Sequence, residues 1–173
     1  MNLEAFQADD KLFNDAFEHK IVVVTPTTLL ATLRTIENIW RYERQNENAL
    51  RVAHFLKSHP RVGDVFYPGL PSHHNHQIAK VQMRGFGGML SFFIDGGFDA
   101  VRDFLPRLQY AHIAANLGPV ETVAGPPRTT SHVEVTAEQR AAMGIPESLI
   151  RYSVGIEHVD DLIADLDSAL SFL

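Results

Sequence analysis

The stretch "LIRYSVGIEHVDDLIADL", residues 149–166, opens a strand-like, otherwise apolar run with a single arginine. Arg151 is followed by alternating Tyr152, Ser153, Val154, Gly155 and Ile156, then by Glu157, Asp160 and Asp161 where a helix would begin. A guanidinium placed where a chain enters a core has an anion to meet, and its planar fork suits a carboxylate held through two bonds. That anion is either a structural partner, an aspartate or a helix C-terminus, or it is a ligand. Two other groupings carry residue types that do chemistry. His73, His74 and His76 in "SHHNH" are metal-ligand types. Their spacing of one and two residues in a proline-flanked loop, with no carboxylate or thiol beside them, suits a closed site poorly, so no metal is expected. The glycines of "GFGG", residues 85–88, look like a phosphate cradle, but no lysine follows at P-loop spacing. They are expected to shape the entry to a strand.

The elements that must position these residues follow from periodicity and punctuation. Leu3, Phe6, Leu12, Phe13, Ala16 and Phe17 have loosely helical spacing, and "IVVV", residues 21–24, reads as a short buried strand. Thr25 is a candidate N-cap and Pro26 suits the first helical position, where its missing N–H costs nothing. Leu29, Leu30, Leu33, Ile36 and Trp40 continue one helical face. No glycine or proline interrupts residues 27–59, so the helix is expected to run to about Leu56, a rod on the order of 45 Å long. Its polar middle, "RYERQNEN", is expected to be exposed.

After Pro60 the elements shorten. "VGDVFYP", "GGMLSFFI", "LQYAHIA" and "ETVAG" read as strands, "PGLPSHHNH" as a loop, and "HQIAKVQM" and "FDAVRDFL" as helical turns. "TAEQRAAMG" is a short helix with Thr136 as its cap and Gly144 as its stop. The closing "HVDDLIADLDSALSFL" puts Val159, Leu162, Ile163, Leu166, Ala169 and Leu170 on one face, with Asp160 and Asp161 in a first turn that favours negative charge. The fold class is therefore α/β: a small, largely antiparallel sheet covered by helices, preceded by a long helix and a short helix-strand segment.

Composition narrows the function classes. The 173 residues suit one ordinary domain or two small ones, and 45% hydrophobic with 21% charged residues is normal for a globular protein. A net charge of −6 argues against a general phosphate-binding surface, so nucleic acid is not expected as a partner. The absence of cysteine excludes disulfides, thiolate metal sites and a cysteine nucleophile. No apolar run suits a bilayer and the N-terminus lacks the features of a signal peptide, so no membrane is expected and the expected location is cytoplasmic.

From about Ala49 to Leu173 the chain resembles the C-terminal small domain of the Cys/Met-metabolism enzymes that depend on pyridoxal phosphate, the trans-sulfuration family. The resemblance rests on six stretches in the family's order: "ENALRVAHFL", "VFYPGLPSH", "MRGFGGMLSF", "ANLGPVETVAGPP", "TSHVE" and "RAAMGIPESLIRYSVGIEHVDDLIADLDSAL". Residues 2–48 are similar instead to a segment of the RmuC family of DNA recombination proteins, through "TPTTLLATLRTI" and "WRYE". The expected division is residues 1–48, a helix-strand-helix segment, and residues 49–173, a small domain of the fold-type I pyridoxal phosphate enzymes.

The trans-sulfuration resemblance implies that Arg151 grips the α-carboxylate of an amino-acid substrate. It places Asn116 of "ANLG" where many relatives carry serine, able to bond the carboxylate or cofactor region, and Ser131 of "TTSH" near the substrate. Read without it, Asn116 is a turn residue and Ser131 a cap. Family chemistry is elimination or replacement on sulfur amino acids or activated homoserine. Pyridoxal phosphate needs a Schiff-base lysine, and the contexts of Lys11, Lys20, Lys57 and Lys80 do not match the family's Ser-x-Thr-Lys pattern. No catalytic residue is therefore assigned, and the chain is expected to be a fragment that is inactive alone. Two alternatives stand beside this reading. One is a homo-oligomerising or partner-binding module. The other is a DNA-binding remnant carrying Arg34, Arg41 and Arg44 on one helix, with Glu4 at the edge of the nuclease-like segment.

Overall fold

A computed structural model describes residues 18–22 and 24–173. The apolar spacing read over residues 3–17, with Glu4 and Lys11, lies outside the described residues. Two compact units divide the chain, Met1–Ile39 and Trp40–Leu173.

In the first unit, the run read as a buried strand is not one. Ile21 and Val22 are exposed, and neither they nor Val24 belongs to a strand. β-branched residues favour a pleated surface only where a neighbouring strand and an apolar face exist to pack against, and among the described residues none pairs here. Helix α1 then begins at Pro26 and extends to Ser58. Thr25 caps it, its Oγ1 accepting from the Thr28 N–H at 3.2 Å, while Thr28 Oγ1 accepts from the Thr25 N–H at 2.8 Å. Leu29, Leu30, Leu33, Ile36 and Ile39 are all exposed along it.

In the second unit the same helix is built differently. Ala49, Val52, Ala53 and Leu56 are fully buried, at the spacing of a core-facing stripe. The polar middle is only partly exposed, contrary to the expectation from its composition. Asn48 is completely buried and Gln45 and Asn46 are half-buried, because each bonds backbone from a distant loop.

Five strands form one sheet: β1 (Val62–Phe66), β2 (Met89–Ile94), β3 (His112–Ile113), β4 (Val123–Gly125) and β5 (Leu149–Ser153). The order is β1-β2-β5-β4-β3, antiparallel except for the β3–β4 pair. The strand expected over "LQYAHIA" is confined to two residues. In β2 and β5 the period of two is explicit: Leu90, Phe92 and Ile94 face the core with Ile150 and Tyr152, while Ser91 and Arg151 point to the other face.

Four further helices follow: α2 (His76–Gln82), α3 (Gly97–Phe104), α4 (Ala137–Ala142) and α5 (Val159–Ser171). Val101 and Phe104 of α3 and Leu162, Leu166 and Leu170 of α5 join α1 and the sheet in one core. Helix α4 starts in a capping box between Thr136 and Gln139 and stops at Gly144, whose φ of 73° is a left-handed conformation.

Candidate functional site

Arg151 lies in the middle of β5, with Ser91 of β2 and Gly125 of β4 as its cross-strand neighbours. Pleat alternation turns its side chain away from the core that holds Ile150 and Tyr152, so the guanidinium stays half-exposed. Its Nη2 donates to the Ala115 carbonyl at 2.7 Å and to the Asn116 carbonyl at 3.1 Å. Neither structural partner considered from the sequence is present. Among the described residues no carboxylate pairs with Arg151, and the two acceptors belong to a loop, not to a helix C-terminus.

The loop that meets Arg151 is fixed from several directions. The Gly118 N–H donates to Ser153 Oγ at 2.8 Å, and Ser153 is the next residue on the same face of β5 as Arg151. Gln45 Nε2 donates to the Pro119 carbonyl at 2.7 Å, reaching from α1. The Glu157 carboxylate accepts from the Thr122 N–H at 2.6 Å and from Thr122 Oγ1 at 2.8 Å, and Thr122 Oγ1 accepts from the Gly155 N–H at 2.9 Å. Asn48 Nδ2 donates to the carbonyls of Gly155 and Glu157. Glu157, grouped from sequence with the acids of a helix start, thus precedes α5 and orders this loop. Asp160, which does sit in the first turn, pairs with Arg51.

Asn116 is brought to Arg151 through its backbone. Its side chain is exposed and makes no hydrogen bond among the described residues. Ser131 is exposed and its Oγ lies 2.8 Å from His132 Nδ1. It follows Thr130, whose methyl lies 3.2 Å from the position a Cβ would take on Gly125, so this turn packs beside Arg151's strand neighbour. The Ala114 carbonyl would meet the same Cβ at 2.8 Å, which is why only glycine fits where the loop crosses β4.

The other groupings have local roles. In "GFGG" the Phe86 and Gly87 N–H groups donate to Asn46 Oδ1, at 2.5 and 3.1 Å, and Gly87 has a φ of 77°. A Cβ on Gly88 would meet the Val154 carbonyl at 3.1 Å, so these glycines serve the close entry of β2. His73 and His74 stack with ring centroids 4.6 Å apart, and His76 Nδ1 lies 2.7 Å from the Pro68 carbonyl. Partial burial first, then His74 and His76, hold His73 below the usual histidine range. Among the described residues no group of three or more ligand-type side chains could hold a metal ion.

Sequence reasoning missed the cluster around Glu147, which pairs with both Arg140 and Arg128. Arg140 Nε and Nη2 donate to Glu147 Oε1 at 3.0 and 2.7 Å, and its Nη1 reaches the carbonyls of Val135 and His132. Arg128 lies over the Phe98 ring, 3.9 Å from its centroid. The cluster braces the turn that carries Ser131. No sequence signal marked it except an arginine in the last turn of α4 and an acid shortly after it.

A family model described as Cys/Met metabolism PLP-dependent enzyme matches residues 13–171. Cystathionine gamma-lyase of Dictyostelium discoideum is 44% identical over 149 residues, 86% of this chain and 38% of that protein. Cystathionine gamma-synthase of Mycobacterium leprae is 43% identical over 150 residues, and L-methionine gamma-lyase of Fusobacterium nucleatum subsp. polymorphum 45% over 130. They cover 86% and 75% of this chain, which spans 38% and 33% of their own lengths. The crystal structure of cystathionine gamma synthase from Xanthomonas oryzae pv. oryzae in complex with aminoacrylate and cysteine aligns with a TM-score of 0.75 at 43% identity, over 82% of this chain and 36% of that one. The chain therefore spans roughly a third of the length of the relatives it matches, in sequence and in fold. On the family match and these identities, it belongs to the Cys/Met-metabolism, pyridoxal phosphate-dependent enzyme family.

Proposed function

We propose that this chain is the substrate-carboxylate clamp of a trans-sulfuration enzyme, with Arg151 as the clamp and with Asn116 and Ser131 flanking it. The observation that carries the reading is a half-exposed guanidinium, fixed on a central strand, with no carboxylate partner among the described residues. A guanidinium so placed binds and orients a carboxylate and fixes the amino acid that bears it. The relatives' names point to cystathionine and methionine, and the trans-sulfuration resemblance implies elimination or replacement on sulfur amino acids or an activated homoserine. Residues 49–173 form the clamp domain in this proposal. The likeness of residues 2–48 to the RmuC family remains a proposal carried by "TPTTLLATLRTI" and "WRYE", against a Cys/Met-metabolism family match that begins within that segment, at residue 13.

Pyridoxal phosphate, when bound, supplies the electron sink for elimination and replacement chemistry. The described residues do not fit its covalent attachment. Lys20, Lys57 and Lys80 are all exposed, and Lys57 pairs with Asp64 at 3.6 Å. A Schiff-base lysine at neutral pH needs a desolvated or cationic neighbourhood that keeps its amine unprotonated. The chain thus holds and orients substrate and has no turnover by itself. Borohydride reduction with pyridoxal phosphate, followed by peptide mass mapping, tests this. Scattered substoichiometric adducts are expected; a stoichiometric adduct on one lysine, abolished by its alanine variant, would sink the claim of inactivity.

Self-association is a second reading, favoured by the exposure of Leu29, Leu30, Leu33, Ile36 and Ile39 along α1. Sedimentation velocity would show a concentration-dependent dimer or larger species, and a strict monomer at high concentration would remove this reading.

A further inference from the structure

The two hydrogen bonds of Arg151 leave from the same nitrogen, and that nitrogen is the one a carboxylate needs. A guanidinium offers two forks, Nη1 with Nη2 and Nε with Nη2, and both include Nη2. In this structure Nη2 is engaged by the carbonyls of Ala115 and Asn116. A carboxylate bound through two parallel bonds therefore competes with one or both of them.

Residues 115–117 are suited to yield. Upstream, the Ala114 N–H donates to the Ala124 carbonyl at 3.2 Å. Downstream, Gly118 is tied to Ser153, Pro119 to Gln45 and the Val120 carbonyl to the Ile156 N–H. Between these anchors, among the described residues, the only hydrogen bonds to residues 115–117 come from Arg151. Ala115, Asn116 and Leu117 are exposed, so no core packing opposes their movement. Gly118 has a φ of 73° with open space around its Cβ position, a pivot that the chain can turn about.

We infer that residues 115–117 form a latch on Arg151: with no anion bound, the carbonyls of Ala115 and Asn116 hold the guanidinium in place, and an incoming carboxylate displaces them and swings the segment between Ala114 and Gly118. The guanidinium's bonds to the two carbonyls are already charge-assisted, but a carboxylate adds a full opposite charge and two parallel acceptors matched to the fork, so the carboxylate wins the exchange. The latch also explains how a lone cation stays oriented on a half-exposed strand. This inference rests on the reading of Arg151 as the clamp and adds how the clamp is gated.

The test uses the full chain labelled with ¹⁵N and sodium acetate as the probe, replacing chloride at constant ionic strength. Arg151 Nε–H and the amides of Ala115, Asn116 and Leu117 are expected to shift along one saturation curve, while Thr122 stays fixed. In Arg151→Gln without acetate, the backbone order parameters of Asn116 and Leu117 are expected to fall from the rigid range, about 0.85, to below about 0.6. If Arg151 saturates while residues 115–117 stay fixed, the latch is wrong and the clamp stands. Unchanged order parameters in the variant also overturn the latch. If acetate leaves Arg151 itself unmoved, clamp and latch fall together.

Discussion

Arg140 and Arg151 carry the same group in opposite circumstances. Arg140 is 6% exposed and finds everything it needs inside the protein: the Glu147 carboxylate, the Val135 and His132 carbonyls, and a second arginine sharing the acid. Arg151 is half-exposed and holds only two loop carbonyls, through one nitrogen. A buried charge without partners is too costly to persist, so Arg140 must be satisfied internally. A charge on the half-open face of a sheet keeps enough water to do without a carboxylate partner, and that is what leaves capacity for a ligand. Partnering inside the protein therefore distinguishes the structural arginine from the proposed functional one.

The largest effect expected from this contrast is at Arg140. Arg140→Leu leaves Glu147 with Arg128 alone and should cost about 3 kcal/mol in urea unfolding. If Arg151→Ala proves equally destabilising, the contrast collapses. Asp165→Ala comes next. The Asp165 carboxylate accepts from the N–H groups of Gln109 and Tyr110, and losing it strands both donors, for about 2 kcal/mol. Arg151→Ala itself should cost less than about 1 kcal/mol in the same assay, yet abolish the saturable response to acetate.

Tyr152 sharpens the comparison from the other side, because its hydroxyl is buried in the core without a partner among the described residues. Tyr152→Phe removes an orphan and should be neutral or stabilise by up to about 1 kcal/mol. Burial above all, then Asp165 and Glu157, pushes the Tyr152 phenol far above its ordinary 10.0. A folded pKa above the unfolded one gives stability that is present below pH 10 and lost as pH rises beyond it. The Tyr152→Phe variant should accordingly show a shallower alkaline fall in urea midpoint than the parent. The smallest effect belongs to His73, whose lowered pKa means that the unfolded chain takes up its proton first. Stability from this loop should be present above about pH 6.5 and decline as pH falls through the lower folded value. A His73→Gln variant should lack that small acid-limb component in thermal melts.

Much of the fold was legible along the chain. The stripe of α5, the cap and stop of α4 and the strands β2 and β5 are local patterns with local causes, and each formed where its period placed it. The failures have a common physical origin. "IVVV" carried strand propensity without a neighbour to pair with, and "RYERQNEN" carried polar composition whose partners lie in loops far along the chain. A closer use of periodicity would have found two of the missed residues. Asn48 lies four residues before Val52 on the buried stripe of α1, and Asp165 lies three after Leu162 on that of α5. A polar residue on such a stripe announces a buried hydrogen bond, though not with whom.

Residue types and their order were enough to place an arginine in a core strand, to rule out thiol chemistry and to carry the family resemblance. Those properties are local, because pleat alternation and side-chain chemistry need no knowledge of the rest of the chain. Which arginine would be satisfied internally was not local. Glu147 reaches Arg140 and Arg128 because a turn and a short helix fold back around it, and Arg151 meets residues 115 and 116 because β4 and β5 pair in one register. Proximity between residues far apart in sequence is created by packing the whole core, so the proposed clamp and its latch exist only once the strands have paired in register.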